Sequence, residues 1–302
     1  MPRFLRFLFM TVLISPQGFN AQAQPLALTT SIKPLQLLVA SISAGISQPQ
    51  LLIPAASSPH DYQLRPSERR QLEQADLIFW VGPELEMSLT KVLQQLPAST
   101  RVIALAAESE NQDHQPRPSA HNHDHDHDHQ SADLHIWLDP DRAADLAQQI
   151  ATVLSESDPS HQADYQKNLV RFLDQLNRHE QQLRTLLEPV KQRGYFVFHD
   201  AYQGFEQHFQ LNHLGAFTLT PDRRPGARHL AEIRTQLLDR QAVCVFSEPQ
   251  SPPSLISNLI QDTQVRQGLL DPLGVGLEVN ADGYFRLLTQ LGEAFKRCLS
   301  DS

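Results

Sequence analysis

The sequence predicts an α/β protein made of two similar lobes, each a mostly parallel sheet flanked by helices, with a long helix between them. Three observations support this fold class. Strand-like apolar runs alternate with helical patterns in both halves of the chain, which favours parallel sheets. One helical pattern between the halves is unusually long. Short segments of the two halves also resemble each other in the same order.

The first half contains four candidate strands, each followed by a helix or a loop. The first helix begins at Pro34, the second is expected to be capped by Ser67, and a third has Asp139 as its N-cap with Pro140 in the first turn. The strands are predicted at residues 26–32, 51–54, 76–81 and 101–105. Alternating elements of this kind assign residues 24–158 to one N-terminal lobe.

A helical apolar period continues from Ser160 to Glu188 without glycine or proline. About 28 residues at a rise of 1.5 Å span about 40 Å, which is the breadth of a domain. Residues 159–190 are therefore interpreted as a rigid connecting helix. The alternative is two shorter helices with a break near Asn177 and Arg178.

The second half, residues 191–302, repeats the alternation and forms the C-terminal lobe. Its strands are predicted at 195–198, in "GAFTLT", and at 242–246, with the last helix over about 282–298. "HDYQ" at 60–63 matches "HDAYQ" at 199–203, and "ADLIFWVGPE" at 75–84 matches "QAVCVFSEPQ" at 241–250. These pairs favour two similar lobes.

Residues 1–23 have the three-part pattern of a secretory signal peptide: Arg3 and Arg6, an apolar run over 7–14, and Ala21-Gln22-Ala23. Eight apolar residues are too few for a spanning helix, which needs about 20. The expected location is a bacterial periplasm. Removing the signal changes the formal net charge from −9 to −11, which disfavours nucleic acid as a partner and suits a cationic ligand.

The chain contains only two cysteines, Cys244 and Cys298. An even, minimal number in an oxidising compartment favours one disulfide bond. The alternative is two free buried thiols.

Residues 108–133 contain no apolar side chain larger than alanine, and Pro116 and Pro118 interrupt any helix. This segment is predicted to be a disordered loop inserted into the first lobe. Within it, alternating histidine and acidic or polar residues must bind metal, and the question is whether they are the working site. The histidines are His121, His123, His125, His127 and His129.

Three other histidines, His60, His135 and His199, lie near predicted strand ends or in the loops that follow. In open parallel sheets, ligands bind beyond the carboxyl ends of the strands. Two of these histidines belong to the first lobe and one to the second, so a site in the cleft would draw on both. For each one alone, a hydrogen-bonded structural role is the more common alternative.

Five segments together resemble the periplasmic solute-binding proteins of metal ABC importers, and most closely the zinc-binding, ZnuA-type branch. They follow one another in one collinear order over nearly the whole chain beyond residue 23, which also carries the His-rich insertion. The segments are "PHDYQLRPSE" (59–68), "ADLIFWVGPELE" (75–86), "HIWLDP" (135–140), "FVFHDAYQGFE" (196–206) and "FSEPQ" (246–250).

The resemblance implies two (β/α)₄ lobes joined by one long helix, with metal in the cleft on His60, His135 and His199. It also implies an inner-membrane permease with a cytoplasmic ATPase as partner, and a monomeric protein. A histidine at the third position points to zinc rather than manganese, and three imidazoles suit Zn²⁺, which is then the transported ligand.

The fourth ligand stays open between water and Asp271. Pro59 stands where some zinc relatives have a glutamate, and proline cannot ligate a metal. Asp61 and Asp200, each next to a predicted ligand, are expected either to accept hydrogen bonds from the imidazoles or to cap the helices that follow.

Two other functions compete with transport. A zinc hydrolase also uses three histidines and water, but the chain has no HExxH or GxSxG motif, and Glu248 is the one candidate base. A zinc-buffering chaperone would bind zinc without a permease. The prediction is a transport protein and not an enzyme, with the tract at 121–129 in an accessory role; a plain solvated loop is the alternative for the tract.

Overall fold

Two four-stranded parallel sheets form the framework of the molecule. The computed structural model describes residues 25–106, 133–218, 226–239, 242–250 and 253–300. Residues 1–23 and the histidine tract at 121–129 lie outside the described residues, so the expectations about a signal peptide and a disordered loop stay predictions. The two sheets confirm the predicted fold class.

The first sheet has the strand order β2-β1-β3-β4, and all neighbours are parallel. Its central strands are short and fully buried because helices cover both faces, which is typical of parallel sheets. The strands are β1 (Leu28–Thr30), β2 (Gln50–Leu51), β3 (Leu77–Trp80) and β4 (Arg101–Ala104). The helices are α1 (Lys33–Ile42), α2 (Pro66–Glu73), α3 (Met87–Leu93) and α4 (Pro140–Ser157).

The second sheet has the order β6-β5-β7-β8, again all parallel. The matching orders of the two sheets agree with the sequence echoes between the halves. The strands are β5 (Tyr195–His199), β6 (His213–Thr218), β7 (Cys244–Ser247) and β8 (Arg266–Leu269). The helices are α6 (Gln203–Phe209), α7 (Ala227–Asp239), α8 (Pro253–Leu259) and α9 (Gly283–Leu299).

Helix α5 (Gln162–Leu187) connects the two sheets as one continuous helix of 26 residues. At 1.5 Å per residue it is about 39 Å long. The alternative of a break near Asn177 and Arg178 is therefore wrong. One face of α5 is buried, including Phe172 and Leu183, and it packs against α1, α4 and α9. A Cβ at Gly292 of α9 would collide with Leu183, so the two helices approach closely.

The start of α2 differs from the prediction. Arg65 and not Ser67 is the N-cap, and Pro66 occupies the first helical position. Proline fits there because its fixed φ suits the helix and its missing N–H would have no partner in the first turn. Glu68 completes the turn, since its carboxylate accepts the backbone N–H of Arg65 at 2.7 Å.

A disulfide bond joins Cys244 of β7 to Cys298 of α9, with a Cα–Cα distance of 6.0 Å. Both side chains are buried. The predicted pairing is thus confirmed, and the bond ties the last helix to the second sheet. Among the described residues, no helix is both long enough and apolar enough to cross a membrane.

Candidate metal centre

His60, His135 and His199 come together where the two sheets face each other. His199 is the last residue of β5, and His60 lies in the loop that follows β2. His135 comes immediately before a short 3₁₀ turn (Ile136–Leu138) that leads into α4. All three positions follow the carboxyl edge of a sheet, as expected for a ligand site in an open parallel sheet.

The three imidazoles form a tight triangle. Their ring centroids are 5.6 Å apart for His60 and His135, 5.3 Å for His60 and His199, and 4.8 Å for His135 and His199. One nitrogen from each ring lies within 4.8 Å of the other two. Nε2 of His60 and both ring nitrogens of His199 are buried and have no hydrogen-bond partner within the described part of the chain. Buried polar atoms normally have a partner, so this cluster has the features of a site built for a ligand.

The site keeps the imidazoles of His60 and His135 neutral. Burial lowers the pKa of His60 to about 3, and the neighbouring His135 and His199 add repulsion to a positive charge there. Burial also lowers the pKa of His135, against the opposing influence of Asp133. Neutral imidazole is the form that ligates a metal, so an arriving cation does not have to displace protons from these two rings.

Asp133 fixes the orientation of His135. Its Oδ1 lies 3.0 Å from Nδ1 of His135, and its Oδ2 accepts the backbone N–H of Gly204 at 3.2 Å. Burial by itself raises the pKa of Asp133, but the hydrogen bonds from His135 and Gly204 outweigh it, and the pKa is lowered. A carboxylate on Nδ1 leaves Nε2 of His135 facing the cluster, as in many metal sites.

Sequence reasoning missed Asp133, because it considered only acidic residues directly adjacent to a ligand. A signal was present: Asp133 precedes His135 by two residues. An aspartate at that spacing can accept the backbone N–H of the later residue, and here it does so at 2.9 Å.

Asp61 and Asp200 do not hold the imidazoles, contrary to one of the two roles expected for them. The carboxylate of Asp200 accepts from Gln203 at 2.6 Å, and Asp61 is exposed. Neither is a helix N-cap: Arg65 caps α2 and Tyr202 caps α6. α2 begins at Pro66, five residues after Asp61, and α6 begins at Gln203, three residues after Asp200, so both aspartates lie in the preceding loops.

Glu248 is the second carboxylate of the site. Its Oε2 lies 3.5 Å from Nδ1 of His199, while its Oε1 accepts the hydroxyl of Tyr202 at 3.0 Å. Both Glu248 and Tyr202 are buried. Glu248 is therefore placed to orient His199 electrostatically, which is a different role from the catalytic base considered from the sequence.

Asp271 is committed to a turn. Its carboxylate accepts three backbone N–H groups, from Leu273 at 3.0 Å, Gly274 at 2.9 Å and Val275 at 2.6 Å. It is not a member of the histidine cluster. Pro59 lines the cavity around the cluster but offers no ligand atom.

Three hydrogen bonds hold the lobes together around the cavity. Trp137 Nε1 donates to the carbonyl of Pro272 at 2.8 Å, and Tyr284 donates to the carbonyl of Trp137 at 2.7 Å. Gln250 donates to the carbonyl of Ala55 at 2.9 Å. The structure is thus a closed arrangement in which both lobes contribute to one small cavity.

Three imidazoles that line one small cavity are a donor set for a borderline cation. Zn²⁺ takes histidine nitrogen at about 2.0–2.1 Å and readily accepts a tetrahedral arrangement with one further ligand. Manganese prefers more oxygen donors. The residues present therefore fit zinc.

Comparison with known proteins agrees with this chemistry. The model of the ZnuA family, described as zinc-uptake complex component A, periplasmic, matches residues 28–298. The chain belongs to this family. The chain is 42% identical to the high-affinity zinc uptake system protein ZnuA of Yersinia pestis, over 90% of this chain and 91% of the relative. It is 38% identical to the protein of the same name from Brucella suis biovar 1, over 94% of both chains.

Solved structures show the same fold. A crystal structure of ZnuA superposes with a TM-score of 0.75 at 25% identity, covering 91% of this chain and all of the other. The periplasmic zinc-binding protein TroA of Treponema pallidum gives a TM-score of 0.78 at 20% identity, covering 92% of this chain. The chain is a zinc-binding component of a zinc uptake system, with zinc as the transported ligand, and not an enzyme.

Proposed function

We propose that His60, His135 and His199 hold the transported Zn²⁺ in the cleft between the lobes. The observation that carries the proposal is the triangle of ring nitrogens, one from each histidine, within 4.8 Å of one another. Nε2 of His60 and both ring nitrogens of His199 have no hydrogen-bond partner among the described residues. The family's link to zinc uptake supports the identity of the cation.

The contribution of both lobes to one site gives the protein a means of release. His60 and His135 belong to the first lobe and His199 to the second. Separating the lobes would remove one of three protein ligands. Nanomolar binding corresponds to a binding free energy of about 12 kcal/mol, and the loss of one ligand would remove several kcal/mol of it. The receiving partner is an inner-membrane permease with its cytoplasmic ATPase, and the protein works as a monomer in the periplasm.

Water is the fourth ligand in this proposal. Asp271 is occupied by three backbone N–H groups, and Pro59 has no donor atom. A bound water would also be the ligand that is lost most easily when the cation is handed on.

The histidine tract at 121–129 is an accessory in this account. Binding a cation there must fix several backbone residues at about 1–2 kcal/mol each. Histidines on folded strand ends avoid most of this loss. Tethering keeps an ion on the tract near the cleft at an effective concentration of order millimolar, which suits scavenging or transfer.

The test is the zinc affinity of His199→Ala, measured by competition with a strong chelator so that only tight binding is observed. We expect the variant to stay folded and to lose tight binding, because one of three protein ligands is gone. His179→Gln is the matched control, since His179 stacks on Phe285 and is not a member of the cluster. Unchanged affinity in His199→Ala would remove His199 from the site.

A further inference from the structure

A second group of ligand-type side chains lies where α4 of the first lobe meets α6 of the second. Nδ1 of His208 lies 3.3 Å from Oδ2 of Asp141 and 3.8 Å from Oδ1 of Asp139. One ligand atom from each of the three residues lies within 4.8 Å of the other two. The contact between the helices is close, since a Cβ at Gly204 would stand 2.8 Å from the Cβ of Asp139.

The separations suit ligands of a shared cation. Zn²⁺ binds imidazole nitrogen and carboxylate oxygen at about 2.0–2.2 Å, so tetrahedral ligand atoms lie about 3.4 Å apart. The distance of 3.8 Å between His208 and Asp139 is too long for a direct hydrogen bond. Oδ1 of Asp139 also accepts the backbone N–H of Asp141 at 2.9 Å as the N-cap of α4. A carboxylate oxygen can keep such a hydrogen bond while it ligates a cation, so an ion between the three groups would contact all of them with small movements.

The other side of the His208 ring has the support that a metal-binding histidine requires. Nε2 lies 3.0 Å from Oε1 of Glu180, and Arg184 holds that carboxylate with its Nε at 2.9 Å and its Nη2 at 2.8 Å. An Nε2–H that donates to Glu180 leaves a lone pair on Nδ1, directed toward Asp139 and Asp141. Carboxylate–histidine–metal arrangements of this kind are common in zinc sites.

A competing tautomer exists without the cation. Nη2 of Arg184 lies 2.9 Å from Nε2 of His208, so this nitrogen can instead accept from Arg184 while Nδ1–H points to Asp141. A cation on Nδ1 selects the tautomer that donates to Glu180. Metal binding is therefore detectable as a change in which ring nitrogen carries the proton.

The net negative charge around His208 also favours binding of a divalent cation. Asp139, Asp141 and Glu180 carry three negative charges and Arg184 one positive charge, which leaves a formal net charge of −2 on the ionised side chains around His208. Burial raises the pKa of Asp139, and repulsion from Asp141 adds to this. One Zn²⁺ would neutralise the formal charge of −2.

We propose that Asp139, Asp141 and His208 form a second Zn²⁺ site that bridges the two lobes outside the cleft. It is weaker than the three-histidine site, because the side chain of Asp141 is 83% exposed and has to be ordered on binding. Excess zinc at this position holds the lobes together, so zinc in excess of one equivalent slows the opening of the cleft.

Nitrogen-15 NMR of histidine-labelled full-length protein tests the site during stepwise addition of zinc. His208→Gln identifies the His208 signals by their loss. We expect the first equivalent to act on His60, His135 and His199. Further zinc should then shift Nδ1 of His208 to the metal-bound range, with the proton of the ring on Nε2. Asp141→Asn should raise the zinc concentration for this step at least tenfold, and Asp145→Asn, one turn further along α4, should leave it unchanged.

Two results would overturn the proposal. One is a His208 spectrum that stays constant while the other histidines titrate with zinc. The other is a His208 ring that carries protons on both nitrogens at neutral pH in metal-free protein and does not change with zinc, which would make the group an ion pair. The signals of the three cleft histidines are followed separately in the same spectra. A failure of the His208 site is therefore distinguishable from a failure of the cleft site.

Discussion

Single carboxylates determine how two imidazoles of the cleft are oriented. Asp133 fixes the tautomer of His135 through Nδ1, and Glu248 lies beside Nδ1 of His199. The sequence predicted the three histidines, because strand-end positions in two lobes can be inferred from the alternation of elements. It did not predict Asp133. The two-residue spacing indicates a contact with the backbone N–H of His135, but the contact with the imidazole depends on the conformation of the loop.

Replacing Asp133 by alanine should weaken zinc binding about 10- to 100-fold, the usual effect of removing a carboxylate behind a ligating histidine. His135 would stay in place but lose the partner that holds its Nε2 toward the cluster. Chelator competition measures the effect. Asp61→Ala is the control, since Asp61 adjoins His60 but is exposed; equal losses in both variants would contradict the role of Asp133.

At the scale of elements, the long helix and the disulfide were accessible from the sequence, whereas exact helix starts were not. The apolar period of α5 continues through its whole length, and the even number of cysteines limited the pairing to one choice. The cap of α2 was misassigned because Ser67 is a good N-cap residue in general, while Pro66 beside it begins the helix in the structure.

Reduction of the Cys244–Cys298 bond should lower the free energy of unfolding by about 4 kcal/mol, since the bond closes a long loop in the unfolded chain. The size of this expected change follows from the sequence separation of 54 residues between the two cysteines. Denaturant unfolding with and without a reductant measures it. The double variant Cys244→Ala, Cys298→Ala should show no response to the reductant, and a wild-type protein equally insensitive would refute the stabilising role.

At the scale of the whole molecule, the two lobes form one cavity because the first and last thirds of the chain pack on the same long helix. α9 contacts both α1 and α5, and Trp137 and Tyr284 link the lobes directly beside the site. The sequence predicted two lobes and a cleft. It could not predict this closed arrangement, since the relative placement of lobes depends on contacts between distant residues.

Deleting residues 114–129 should lower the total amount of bound zinc and leave the tight site intact, because His60, His135 and His199 all lie outside the deleted segment. Isothermal calorimetry gives both the stoichiometry and the affinity of the tightest site. Loss of the tight site in the deletion protein, with His60, His135 and His199 still present, would move the working site to the tract.

The most direct test of the central claim is a crystal structure of protein loaded with one equivalent of zinc, with anomalous scattering recorded at the zinc edge. The account predicts one strong peak within about 2.1 Å of a nitrogen of each of His60, His135 and His199. A dominant peak at Asp139, Asp141 and His208, or at any place other than the three histidines of the cleft, would contradict it.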